Sequence, residues 1–255
     1  MKKMPVLFIG HGNPMNAIEE NDYVKTWRSI PSFFEKPTAI LAISAHWYTD
    51  GSYINNLLKP QQIYDMYGFP KALYELQYHA SGSPALASQV QQVLGDDIAV
   101  DNSWGIDHGS WSVLQAMYPE ADIPVVQMSV NKNISLQRQF LLGRALRPLR
   151  DRNILILASG NIVHNLAMLD WELQAGFHWA DKFDHTVRDY VIQHDYDAVF
   201  RLMQEKSLFQ FSVPTLDHFS PLVYAMGASS DEDVITVYND SRTMGALSMT
   251  SFVFA

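Results

Sequence analysis

The chain carries nine histidines and no cysteine. Without thiols there can be no disulfide, thiolate metal site, iron–sulfur cluster or cysteine nucleophile. Any metal must then be held by histidine, carboxylate, amide or backbone oxygen. Neutral imidazole is a good donor to Zn(II), Fe(II) and copper. Five histidines stand in turn-like settings. His11 lies in Gly10–His11–Gly12–Asn13–Pro14, His46 in Ser44–Ala45–His46–Trp47, and His108 in Asp107–His108–Gly109–Ser110–Trp111. His164 lies in Ser159–Gly160–Asn161–Ile162–Val163–His164–Asn165, and His218 in Asp217–His218–Phe219–Ser220–Pro221. The other four, His79, His178, His185 and His194, have polar or helical surroundings and read as ordinary surface residues.

The elements that must position these residues follow from the apolar pattern. Val6–Ile9, Ala39–Ile43, Val125–Met128 and Ile154–Ala158 are short, nearly continuous apolar runs, as expected of strands buried on both faces. Ser83–Pro84 followed by Ala85 to Leu94 reads as an N-cap, a proline in the first turn and an apolar stripe. Ser135 to Leu149, Trp179 to Ile192 and Ser220 to Met226 also have helical spacing, and Ala246 to Phe254 looks strand-like. Alternating strands and helices predict an α/β fold: a single domain over residues 1–255, with a central, mostly parallel sheet flanked by helices. In such sheets ligands bind beyond the carboxyl ends of strands. On this map His11 follows the first strand by two residues, His46 the second by three, and His164 follows the Ile154–Ala158 strand. One histidine beside a glycine is usually a turn residue; three at strand ends argue for convergence on one metal site.

Composition narrows the partners. A net charge of −9 argues against sequence-independent binding to nucleic acid or to an anionic membrane. No apolar run approaches the ~18–20 residues of a membrane helix, and Val6 to Ile9 is too short for a signal peptide core. A soluble, cytoplasmic protein is expected. The sequence carries no signal for its oligomeric state. It also lacks a His-Glu-x-x-His zinc-protease motif, a Gly-x-Ser-x-Gly nucleophile elbow, a phosphate-binding loop and a dinucleotide fingerprint.

Taken together, the five histidine segments resemble the class III (LigB-like) extradiol ring-cleavage dioxygenases, and within them the 4,5-DOPA extradiol dioxygenase branch. The match runs in order from Met4 to Gly245-Ala-Leu-Ser-Met-Thr-Ser. The resemblance implies that His11, His46 and His218 are metal ligands, with His218 standing where the wider superfamily has a carboxylate. It makes His164 either an acid–base group or a fourth metal ligand, as in zinc-loaded relatives. His108 would face substrate and dioxygen and assist as a proton or hydrogen-bond donor.

The implied reaction is oxidative cleavage of a small-molecule catechol, such as DOPA, by dioxygen outside the diol, giving a semialdehyde. Fe(II) would serve turnover; Zn(II) fits the same ligands but has no redox chemistry. Trp47, Tyr48, Phe69 and Trp104 are candidates to wall the flat ring. Two other readings use the same histidines: a zinc-dependent hydrolase acting through a metal-bound water, and a metal-binding protein for sensing or storage.

Overall fold

The apolar runs become strands of one sheet whose residues alternate between two covered faces. The computed structural model describes residues 3–202 and 206–255. In chain order the first half contains β1 (Val6–Gly10), α1 (Asp22–Ser29), β2 (Ala39–Thr49), β3 (Tyr53–Ile54), α2 (Lys71–Glu75), α3 (Pro84–Leu94), β4 (Ala99–Val100), α4 (His108–Met117) and β5 (Val125–Asn131). The second half contains α5 (Leu136–Ala145), β6 (Ile154–Gly160), α6 (His178–Ile192), α7 (Tyr196–Leu202), α8 (Lys206–Ser212) and α9 (Ser220–Ala228). It ends with β7 (Ile235–Tyr238), β8 (Arg242–Thr243), β9 (Leu247–Ser248) and β10 (Ser251–Phe254).

Eight strands make the sheet in the order β4-β3-β5-β2-β6-β1-β10-β7. Its centre, β5-β2-β6-β1, is parallel throughout, while β10 and β7 add an antiparallel edge. Alternation explains the unbroken apolar runs. Val6, Phe8, Leu41, Ile43, Ile156 and Ala158 join a core with α3, α5, α6 and α9. Leu7, Ile9, Ile40, Ala42, Leu155 and Leu157 join a second core with α1 and α4 on the opposite face. The result is a single α/β domain with a central, mostly parallel sheet between helical layers.

Three expectations need correction. The second strand does not stop at Ile43 but continues to Thr49. Ile43 pairs with Met128 and Tyr48 with Val130, so β2 bulges between them. His46 therefore sits in a strand bulge and not in the loop beyond a strand. The polar Ser44 and His46 break the apolar pattern there because a bulge aims side chains at a site. The expected strand Ala246 to Phe254 is two short strands separated by Met249 and Thr250. The helix expected from Ser135 to Leu149 ends at Ala145 and passes into a 3₁₀ turn, Arg147–Arg152, with Pro148 in its first turn.

One buried ion pair ties the ends of the fold together. The Arg150 guanidinium is 2 % exposed and forks onto both Asp233 oxygens at 2.6 and 2.9 Å, while its Nε donates to the Met4 carbonyl at 2.7 Å. Removing one partner leaves a buried charge uncompensated. Asp233→Ala is therefore expected to cost about 3–5 kcal/mol. Urea unfolding would read this as a lower midpoint at unchanged slope; a loss below about 1 kcal/mol would mean that water reaches the guanidinium.

Candidate metal centre and cavity

The parallel register places β2, β6 and β1 side by side, with Gly10 opposite Gly160 and Ser44 opposite Ser159. His11 leaves the end of β1, His46 projects from the β2 bulge, and the turn after β6 leads to His164. His218 arrives just before α9, carried against β6 where its carbonyl accepts the Asn161 N–H at 2.9 Å. Gly160 permits this approach: a Cβ there would lie 2.2 Å from the His218 carbonyl oxygen. Asp107 caps α4 by accepting the Ser110 N–H and so sets His108 at the first helical position.

The three rings of His11, His46 and His218 form a nearly equilateral triangle. Their centroids are 5.1, 5.3 and 5.0 Å apart. One donor atom from each lies within 4.8 Å of the other two. Each ring is fixed from behind. The Ser159 hydroxyl donates to the Gly109 carbonyl, which leaves its oxygen to accept from His11 Nδ1 at 2.9 Å. Asp65 accepts from His46 Nδ1 at 2.9 Å, and Asp217 from His218 Nδ1 at 3.0 Å. With three acceptors on the three Nδ1 atoms, the three Nε2 lone pairs face inward.

This donor set fits a divalent transition metal. His218 Nε2 is buried without any hydrogen-bond partner. The Nε2 atoms of His11 and His46 lie 3.2 Å apart, where two lone pairs repel unless a proton or cation stands between them. Three imidazoles and no thiolate suit Fe(II) or Zn(II). A second group, His46, Asp65 and His108, is also within 4.8 Å. It is a hydrogen-bonded clamp, because Asp65 already accepts from both Nδ1 atoms, the His108 one at 2.9 Å, and from the His108 backbone N–H at 3.1 Å.

Electrostatics follow from burial and from these carboxylates. Burial and the neighbouring imidazoles hold His11 well below the ordinary histidine range. Burial pushes His218 down to about 4 against the pull of Asp217. Burial also opposes charge on His46, but Asp65 and the nearby Asp107 and Asp217 outweigh it and raise that group. His108 is lowered by burial and by His46. Burial disfavours the charged forms of Asp65 and Asp217, yet hydrogen bonds from the histidines hold both well below the usual carboxylate range.

His164 lies beside the triangle, not in it. Its ring stacks flat on His218, centroids 3.4 Å apart and planes 4° from parallel. Burial and His218 keep it well below the usual range, so it is neutral near pH 7. All five predicted histidines line one cavity of about 460 Å³. Of the four predicted aromatics, only Phe69 lines it. Trp47 stacks on Trp104, 6.5 Å between centroids, and neither lines the cavity; Tyr48 packs against the core. Tyr67 and Trp171 take their place. Sequence reasoning also missed the carboxylates. Asp217 had a visible signal, its adjacency to His218, whereas Asp65 had only its isolation among Tyr64, Met66 and Tyr67.

Comparison with known proteins agrees with this geometry. Residues 6–254 match the family model described as the catalytic LigB subunit of aromatic ring-opening dioxygenase. A protein of Escherichia coli named 4,5-DOPA dioxygenase extradiol is 41 % identical, over 98 % of this chain and 94 % of its own. A Beta vulgaris protein of the same name is 36 % identical, over 97 % and 95 %. The crystal structure of an uncharacterised Escherichia coli protein superposes with a TM-score of 0.86 at 35 % identity, covering 99 % of this chain and all of that one. The chain belongs to the LigB family of extradiol ring-cleavage dioxygenases.

Proposed function

We propose that this enzyme opens the ring of a catechol beside its diol, using Fe(II) held by His11, His46 and His218. The observation that carries the reading is the triangle of inward-facing Nε2 atoms at the floor of a cavity that two further histidines also line. The relatives in Escherichia coli and Beta vulgaris are named for DOPA, itself a catechol. When bound, Fe(II) supplies the redox chemistry that lets an aromatic diol react with dioxygen, which Zn(II) on the same ligands does not.

The chain's own residues supply the rest. His164, neutral and close to the triangle, takes a phenolic proton and so raises the electron density of the ring. Its stacked position favours this role over that of a fourth ligand. His108, held at both its backbone N–H and its Nδ1 by Asp65, presents Nε2 to the cavity as a hydrogen-bond or proton donor. Ser159, Asp65 and Asp217 hold the ligand rings in register, so little reorganisation accompanies binding.

The test is aerobic against anaerobic assay of catechol after anaerobic loading with Fe(II). A yellow semialdehyde formed only with oxygen supports the reading. Oxygen-independent hydrolysis of an ester or amide by the zinc-loaded protein, with no catechol cleavage, overturns it. His164→Ala is expected to keep its metal and lose about 10²–10⁴-fold in kcat. His108→Ala should also keep its metal and turn over slowly. Elemental analysis beside the kinetics decides: metal loss from the His164 variant would make that residue a ligand.

A further inference from the structure

The cavity has two chemically distinct ends. Its floor is the buried histidine cluster, with His11, His108 and His218 at most 5 % exposed. Its rim is built from large apolar side chains that stand in solvent: Tyr67 is 89 %, Leu166 63 % and Trp171 61 % exposed. Phe69, Leu169 and Met244 are half-buried and also line it. Exposed apolar side chains gathered at one cavity mouth mark a binding surface.

Outside the histidine cluster, the charges that line this cavity are acidic. Among the described residues no lysine or arginine lines it. Apart from the histidines and the Tyr67 phenol, its ionisable groups are Asp65 and Asp217, and both carboxylates are committed to histidines. Away from the histidine cluster and the metal it would hold, a substrate carboxylate would find no lysine or arginine, two nearby anions and a chain of net charge −9. A substrate ammonium would find no free carboxylate. Desolvating either charge against leucine, methionine and tryptophan is unfavourable without a partner.

The rim is also a held surface. The segment that carries Leu166, Leu169 and Trp171 is stitched by backbone hydrogen bonds to the turn at Met244–Gly245. Asp170 N–H donates to the Met244 carbonyl at 3.0 Å, Met244 N–H to the Leu173 carbonyl at 2.7 Å, and Gly245 N–H to the Ala175 carbonyl at 2.9 Å. Met244, which lines the cavity, adopts a left-handed backbone, φ 52°, which a side-chain-bearing residue rarely takes. A cavity of about 460 Å³ is within the range for ligands far larger than a bare catechol, about 300–1,000 Å³.

Building on the catechol reading above, we infer that the preferred substrate is a catechol bearing an uncharged apolar substituent, an alkyl or aryl group lying against Leu166, Leu169, Trp171 and Tyr67. A tail ending in a carboxylate or ammonium, as in DOPA, fits this rim poorly.

The test uses the Fe(II)-loaded full chain with catechol, 4-methylcatechol, 4-ethylcatechol, 4-butylcatechol, 3-(3,4-dihydroxyphenyl)propionate, dopamine and DOPA. Cleavage of unsubstituted catechol reports on the general reading alone. Given that cleavage, kcat/KM is expected to rise up to about fourfold per buried methylene, and to fall at least about tenfold when a carboxylate or ammonium ends the tail. Anaerobic titration by calorimetry, where no turnover occurs, should give the same order of affinities. Trp171→Ala should flatten the alkyl gradient. Trp171→Arg should shift the ratio of propionate to butyl substrate toward the propionate, and a ratio within one variant cancels any general loss of activity. A flat gradient in the unaltered enzyme, or preference for propionate, dopamine or DOPA over the butyl compound, overturns the inference while leaving catechol cleavage standing.

Discussion

His218→Ala is expected to leave a folded protein that no longer retains metal. The ring contributes one of three inward-facing nitrogens, and its Nε2 has no other partner in the fold. Two imidazoles do not hold a labile divalent ion through gel filtration as three do. The change also removes one donor from Asp217, whose other oxygen keeps the Thr215 hydroxyl. Elemental analysis after loading should find about one ion per wild-type chain and background in the variant. A second readout is thermal. A ligand at 1,000 times its Kd adds about 4 kcal/mol to the native state, so metal should raise the wild-type Tm by several degrees and leave the variant's unchanged. His11→Ala and His46→Ala should behave alike. A His218→Ala protein with full metal occupancy would move the centre elsewhere.

The second large effect is expected at Asp65, which touches no metal position. It accepts from His46 Nδ1, from His108 Nδ1 and from the His108 backbone. Asp65→Ala releases the His46 and His108 rings together. Loss of an outer carboxylate–histidine bond typically costs about 10–100-fold in metal affinity or activity. Here the loss is doubled in kind: metal affinity should fall by about that factor through His46, and kcat of the metal-saturated protein should fall again through His108. The two parts separate in a double-mutant cycle. In the His108→Ala background, Asp65→Ala should still weaken metal but add little to the loss in kcat, a non-additivity expected of groups in contact. Full additivity in kcat would mean that His108 keeps its orientation without Asp65. Asp65→Asn, which keeps the shape but offers only one acceptor oxygen, should fall between.

How much of this was legible in the chain depends on the kind of signal. His11 and His164 follow runs such as Val6–Ile9 and Ile154–Ala158, whose continuous apolar character announces a strand and therefore its end. His46 was harder, because a bulge has no sequence period, and Ser44 and His46 look like the end of a strand when they are its detour. His108 had only a turn-like setting, and the family resemblance, not the local pattern, brought it into the site. Asp65 was not legible. Its importance lies in what the tertiary fold brings to it, and a carboxylate in a loop looks the same whether it faces water or two imidazoles. The aromatics misled for a related reason. Trp47 neighbours His46 in sequence but is engaged with Trp104 outside the cavity lining, whereas Tyr67 and Trp171 reach the cavity from irregular segments.

The short segment Asp65–Phe69 joins two functions that are usually carried by separate parts of an enzyme. Asp65 grips the His46 ring and Tyr67 and Phe69 line the cavity, with only a few bonds of chain between them. Thermodynamic linkage follows from such an arrangement. If the metal orders this segment through His46 and Asp65, the catechol meets a preorganised wall and binds more tightly. By reciprocity, the bound catechol must tighten retention of the metal by the same factor. Starvation for substrate then becomes a route to metal loss, and the enzyme is best kept active by the compound that it consumes.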